Sequence, residues 1–85
     1  MFHVYILRSI PTGRYYTGST QNIAARLEKH NAGHSAATRP YRPWELVYCE
    51  CFETRGEALR REYEIKRQKS REFIETLIGG NACPR

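Results

Sequence analysis

A turn signal, Pro11-Thr12-Gly13, separates two short runs of β-forming residues at the start of the chain. No other feature constrains the fold as much. Residues 2–8 (Phe-His-Val-Tyr-Ile-Leu-Arg) are rich in branched and aromatic side chains and read as a strand. Proline fixes its own φ and glycine accepts unusual backbone angles, so residues 10–13 turn the chain back on itself. Residues 14–18 then return as the second strand of a hairpin. A register pairing Ser9 with Arg14 places Tyr5, Leu7, Arg14 and Tyr16 on one face and Val4 and Ile6 on the other.

The remaining elements follow from stop and start signals. Gly18-Ser19-Thr20 closes the hairpin and offers an N-cap for a helix over residues 21–31, with Ile23 and Leu27 as its buried stripe and Gly33 as its stop. A polar loop with Pro40 and Pro43 leads to a third strand from Trp44 to Phe52. Thr54-Arg55-Gly56-Glu57 is a capping box, so a second helix runs from about residue 55 to about Lys69. Ser70 caps a final helix carrying Phe73, Ile74, Leu77 and Ile78. The order β-β-α-β-α-α predicts an α+β fold with a small antiparallel sheet covered by helices. Residues 1–79 are expected to form a single domain and residues 80–85 a flexible tail.

Composition narrows the function classes. At 85 residues and 40% hydrophobic, the chain suits one folded domain. No apolar run is long enough to span a membrane, so the expected location is cytoplasmic. Three cysteines, an odd number, fit a reducing compartment. Cys49 and Cys51 read as two small buried thiols on one face of a strand, without enough neighbours for a zinc site. The net charge is +5. Residues 1–44 hold six basic residues against Glu28 alone, whereas residues 45–85 are balanced. A cationic surplus beside the hairpin favours a polyanion, and Arg14, Lys29, Arg39 and Arg42 are the candidate nucleic-acid contacts.

Several side chains have more than one reading. On the second helix, taking Leu59 as zero, Ala58, Tyr63 and Ile65 fall at about −100°, +40° and −120°, and Glu62 at about −60°. A carboxylate within that apolar arc must be paired or must bind a cation. It could pair with Lys66 one turn on, pair with Arg26, or hold a metal. Tyr5 and Tyr16 are packing residues or catalysts. A phenol is a poor base near neutrality unless cations lower its pKa, and Arg14 and Arg26 are the candidate cations. Arg26 is a surface residue or a phosphate clamp. His30, four residues on, either meets the helix dipole or moves a proton.

Order and spacing together resemble the GIY-YIG nuclease superfamily over residues 3–78. The motifs are His3-Val4-Tyr5, Tyr16-Thr17-Gly18, Arg26-Leu27-Glu28-Lys29-His30-Asn31 and Glu62 within Ala58-Leu59-Arg60-Arg61-Glu62-Tyr63. The segments Tyr16 to Asn31 and Ala58 to Tyr63 are most similar to the small bacterial single-domain branch. The resemblance implies three antiparallel strands flanked by helices. It also implies a metal-dependent endonuclease hydrolysing DNA phosphodiesters with Mg²⁺ or Mn²⁺; branched or damaged DNA is one substrate class that such an enzyme could take. In that scheme Tyr5 assists or performs deprotonation of the attacking water, Tyr16 positions the water or phosphate, and Arg26 stabilises the developing charge. His30 takes part in proton transfer, Glu62 holds the metal, and Gly18 lets backbone approach the site. The chain departs from the family in having His3 where glycine is common, and Asn81 has no assigned counterpart. No second domain is present to choose DNA sites, so a protein partner supplying specificity is a further expectation. A non-catalytic nucleic-acid-binding adaptor is the alternative, and RNA stays open as a substrate.

Overall fold

Three strands form one antiparallel sheet in the order β2-β1-β3, with β1 (Phe2–Ser9) between β2 (Tyr15–Thr20) and β3 (Trp44–Phe52). The computed structural model describes residues 1–68 and 70–80. Tyr5 lies opposite Gly18 and Leu7 opposite Tyr16, the register expected from the turn, and the Ser9 amide donates to the Arg14 carbonyl at 2.7 Å. On the other side of β1, Ile6 faces Tyr48 but Leu7 faces Leu46, so Val47 is an extra residue in β3.

Strand alternation gives the sheet two different faces. Val4 and Ile6 join Tyr48, Ala58 and Ile65 in an aliphatic core beneath helices α2 (Arg55–Gln68) and α3 (Arg71–Gly80). Tyr5, Leu7 and Trp44 form a second cluster on the opposite face, covered by Ile23 and Leu27 of α1 (Ile23–Ala32). A short 3-10 turn at Arg39–Tyr41 precedes a cis Arg42–Pro43 peptide and the start of β3.

Helix ends follow local chemistry. β2 continues through Thr20, paired with His3, so α1 cannot be capped within Gly18-Ser19-Thr20. The Asn22 side chain caps it instead, accepting from the Ala25 amide at 3.0 Å. Gly33 ends α1 with φ at 84°, in the left-handed region. At α2 the Glu57 amide donates to Thr54 Oγ1 and the Thr54 amide donates to Glu57 Oε1, the reciprocal pair expected of a capping box. The Ser70 hydroxyl accepts from the Phe73 amide at the start of α3. That helix includes Gly80, and residues 81–85 of the expected tail lie outside the described residues.

The apolar arc of α2 is narrower than its sequence suggests. Ala58 and Ile65 are buried, but Leu59 and Tyr63 are exposed. Glu62 therefore stands at the border of the buried face rather than within it. Cys51 is likewise exposed rather than buried, its thiol 3.2 Å from His3 Nδ1. Among the described residues, no helix is long and apolar enough to cross a membrane.

Candidate active site

Tyr5 occupies the middle of β1 and is 2% exposed. Its ring lies across Gly18, where a Cβ would stand 2.6 Å from the phenol oxygen and 2.8 Å from Cζ. The backbone can approach Tyr5 this closely because residue 18 has no side chain. The phenol oxygen is 3.1 Å from His30 Nε2, and His30 Nδ1 is 2.8 Å from Thr38 Oγ1. All three side chains are buried. Tyr16, opposite Leu7, presents its ring to His30 edge-on with centroids 5.0 Å apart and lies 6.4 Å from the Tyr5 ring.

A scaffold of polar contacts holds this group. The Thr38 carbonyl accepts from Trp44 Nε1 at 2.9 Å. Asn31, next to His30, bonds the Trp44 backbone twice: the Trp44 amide donates to Asn31 Oδ1 at 2.6 Å, and Asn31 Nδ2 donates to the Trp44 carbonyl at 3.1 Å. Asn31 thus ties the end of α1 to the start of β3, and the loop between them is fixed where it supplies Thr38. Among the described residues, no buried side-chain polar atom lacks a partner. Sequence reasoning assigned no role to Thr38, Asn31 or Trp44. Thr38 lies in an aperiodic loop and carries no local signal. Asn31 stands within a quoted motif, and the sole tryptophan opens a strand, so those two had a signal that went unused.

Burial raises the Tyr5 phenol far above the ordinary phenol range; Tyr16 adds to this, Arg26 opposes it, and the Glu62 carboxylate raises it further. The expected depression of the phenol by cations is outweighed. Arg26 is the cation that acts on Tyr5, while the Arg14 guanidinium lies over the Tyr41 ring at 4.5 Å. Burial also lowers the His30 imidazole, and the positive charge of Arg26 lowers it further. At neutral pH the pair is therefore a protonated phenol against a neutral imidazole. These mutual influences show that Tyr5, Tyr16, His30, Arg26 and Glu62 share one locality.

Glu62 Oε2 is paired with Lys66 Nζ at 2.6 Å, and the Glu62 side chain is 18% exposed. Among the described residues, no group of three or more His, Cys, Asp or Glu side chains is placed to hold a metal. One carboxylate still fits Mg²⁺ or Mn²⁺, since Mg²⁺ commonly keeps several waters and shares substrate phosphates instead of occupying an all-protein cage. Arg26 and Lys29 line a cleft of about 440 Å³ beside the site. Arg39 and Arg42 lie elsewhere, at the C-terminal end of α1. Arg39 Nε donates to the Gly33 carbonyl, and the Arg42 guanidinium covers the Gly33 Cα.

Comparison with known proteins bears on the family and the fold. A family model described as the GIY-YIG catalytic domain matches residues 1–75. UPF0213 proteins of Staphylococcus aureus strains Mu3 and USA300 are 49% identical over 75 residues, covering 84% of this chain and 90% of theirs. The solution NMR structure of a UPF0213 protein from Bacillus halodurans superposes with a TM-score of 0.61 at 37% identity, covering 99% of this chain and 89% of that one.

Proposed function

This chain belongs to the GIY-YIG catalytic-domain family, a nuclease family, and on that premise we propose that it is a divalent-metal-dependent endonuclease acting on DNA. The observation that carries the reading is the Tyr5–His30–Thr38 chain of contacts. Hydrolysis of a phosphodiester requires that an attacking water lose a proton as its oxygen bonds to phosphorus. Tyr5 is a protonated phenol and cannot wait as a phenolate. It can accept the water proton on its oxygen while giving its own proton to His30 Nε2. The lowered imidazole is unprotonated at neutral pH and free to receive it. In the tautomer with hydrogen on Nδ1, His30 donates to Thr38 Oγ1, which fixes Nε2 as the acceptor.

Tyr16 borders the same space and is suited to orient the water or a phosphate oxygen. Arg26 is exposed and has no ion pair among the described residues, so its guanidinium is available to the negative charge that grows on the phosphate oxygens. Glu62 is the residue that would hold Mg²⁺ or Mn²⁺, after exchanging or sharing its Lys66 contact. Such an ion would neutralise phosphate charge and acidify a bound water. Branched or damaged DNA is the proposed substrate, with site choice supplied by a protein partner.

The test is cleavage and binding on one panel of nicked, flapped, branched and linear DNAs, with Mg²⁺, Mn²⁺ or chelator. Tyr5→Phe keeps the ring on Gly18 and should lower cleavage by a factor on the order of 10² or more at unchanged affinity. Arg26→Ala and Glu62→Gln should also reduce cleavage, and Glu62→Gln should remove the response to added metal. Equal cleavage by wild type and Tyr5→Phe would overturn the assignment of Tyr5. Tight binding with no cleavage under any metal would identify a non-catalytic adaptor.

A further inference from the structure

We infer that the cleft lined by Arg26, Lys29 and Arg55 holds a backbone phosphate neighbouring the one that is cut. This subsite rests on the nuclease reading for its place in the reaction. The DNA contact itself does not need catalysis.

The cleft lies between the start of α1, the end of β2 and the start of α2, and encloses about 440 Å³. Arg26 and Lys29 reach it from α1 and Arg55 from the first position of α2. No acidic side chain lines it, whereas the hydroxyl side chains of Ser19 and Thr20 do. None of the three cations is in an ion pair among the described residues. Many other cations of the molecule are engaged. Arg8 bonds Glu45, Arg61 bonds Glu50, Lys66 bonds Glu62 and Arg71 bonds Glu75. Three unpaired charges held at one concave site repel one another, an arrangement suited to an anionic ligand.

A second cleft, of about 490 Å³, lies at the other end of β2 and makes an internal comparison. Its cations are Arg14, Lys66 and Arg71. Lys66 bonds Glu62 and Arg71 bonds Glu75, whereas Arg14 lies over the Tyr41 ring and keeps its full charge. Among the described residues, two of three charges are therefore neutralised by carboxylates at the second cleft and none at the first. Arg26 links the first cleft to the chemistry, because its charge also acts on Tyr5 and His30. A strand whose scissile phosphate meets Arg26 would have its next phosphate beside Lys29 and Arg55. Arg55 thereby becomes a substrate-positioning residue; the sequence placed it only within the capping box of α2 and gave it no part at the site.

The experiment measures binding in chelator, so that no turnover is needed, and cleavage in Mg²⁺ or Mn²⁺ on the same DNA. The variants are Arg55→Gln, Lys29→Gln and, as a control, Arg8→Gln. The two cleft residues are exposed, and a thermal melt confirms folding. Each cleft variant should raise Kd and KM by on the order of tenfold and lower the slope of log affinity against log salt by about one. Neither should lower kcat, and Arg8→Gln should match wild type. Cleavage with unchanged Kd, KM and salt slope in both cleft variants overturns the subsite and leaves the nuclease standing. DNA binding that needs Lys29 and Arg55 without any cleavage upholds the phosphate site and removes the nuclease. Failure of the wild type to bind DNA overturns both.

Discussion

The two faces of the sheet draw on the same strand for opposite purposes. Val4 and Ile6 of β1 enter a core of aliphatic and aromatic side chains under α2 and α3. Tyr5, between them, enters a network of phenol, imidazole, hydroxyl and indole under α1. Packing on the first face needs volume and little direction. Its polar edge is the Tyr48 hydroxyl, which donates to a Glu50 carboxylate also bonded by Arg61. The second face needs every donor and acceptor placed, since an unmet buried polar group costs about 1–3 kcal/mol. On the proposed reading the second face carries the chemistry, and the first serves packing alone.

That division makes its largest claim at Ile65, which is 1% exposed and central to the aliphatic face. Ile65→Ala should cost about 2–5 kcal/mol through lost burial and a residual cavity, read as a lower urea midpoint. Cleavage per folded molecule should change little. A comparable loss of rate in the folded fraction would show that the two faces are not separable.

Gly18 tests the boundary between the faces, because it is the backbone on which Tyr5 rests. Gly18→Ala puts a Cβ 2.6 Å from the phenol oxygen, so the ring or β2 must move. Overpacking of this kind costs about 1–3 kcal/mol. Displacing the phenol by about 1 Å should lower cleavage on the order of 10²-fold. The variant should thus lose less stability than Ile65→Ala and far more activity. Full activity would mean that Tyr5 does not have to sit where Gly18 allows it.

The same contrast explains what the sequence made legible. Element order, hairpin register and three helices follow from punctuation and alternation, both local, and the solved UPF0213 structure agrees with the fold. Local rules failed where a neighbour decided the outcome. β2 runs on to Thr20 because His3 pairs with it, which moves the α1 cap to Asn22. Leu59 and Tyr63 fit an apolar arc by angle but face outward, since periodicity gives direction and not cover. At the candidate site, motif spacing named Tyr5, Tyr16, Arg26, His30 and Glu62. Thr38 and Arg55 were missed because each matters through a partner distant in sequence: the His30 ring for one, the α1 cations for the other.

The smallest expected effect is a pH dependence that also sharpens the comparison. Burial and Arg26 hold the folded-state pKa of His30 below its ordinary value of about 6.5. Between that value and the lowered one, the unfolded chain binds more protons than the folded protein. Stability is then present in full above about pH 6.5 and falls as the solution is acidified through this window. Protonation would also remove the acceptor at Nε2, so cleavage should decline over the same range while DNA affinity holds or rises. Urea midpoints at pH 7.5 and 6.5 should lie close together for the wild type and the midpoint at pH 5.5 below both, a fall that should flatten in His30→Gln, which cannot titrate. An acid-labile Tyr5 face beside an unchanged aliphatic face would appear as this one slope and no other. A slope that persists in His30→Gln would place the titrating group outside the Tyr5–His30–Thr38 chain and break the assignment of His30 as the proton acceptor.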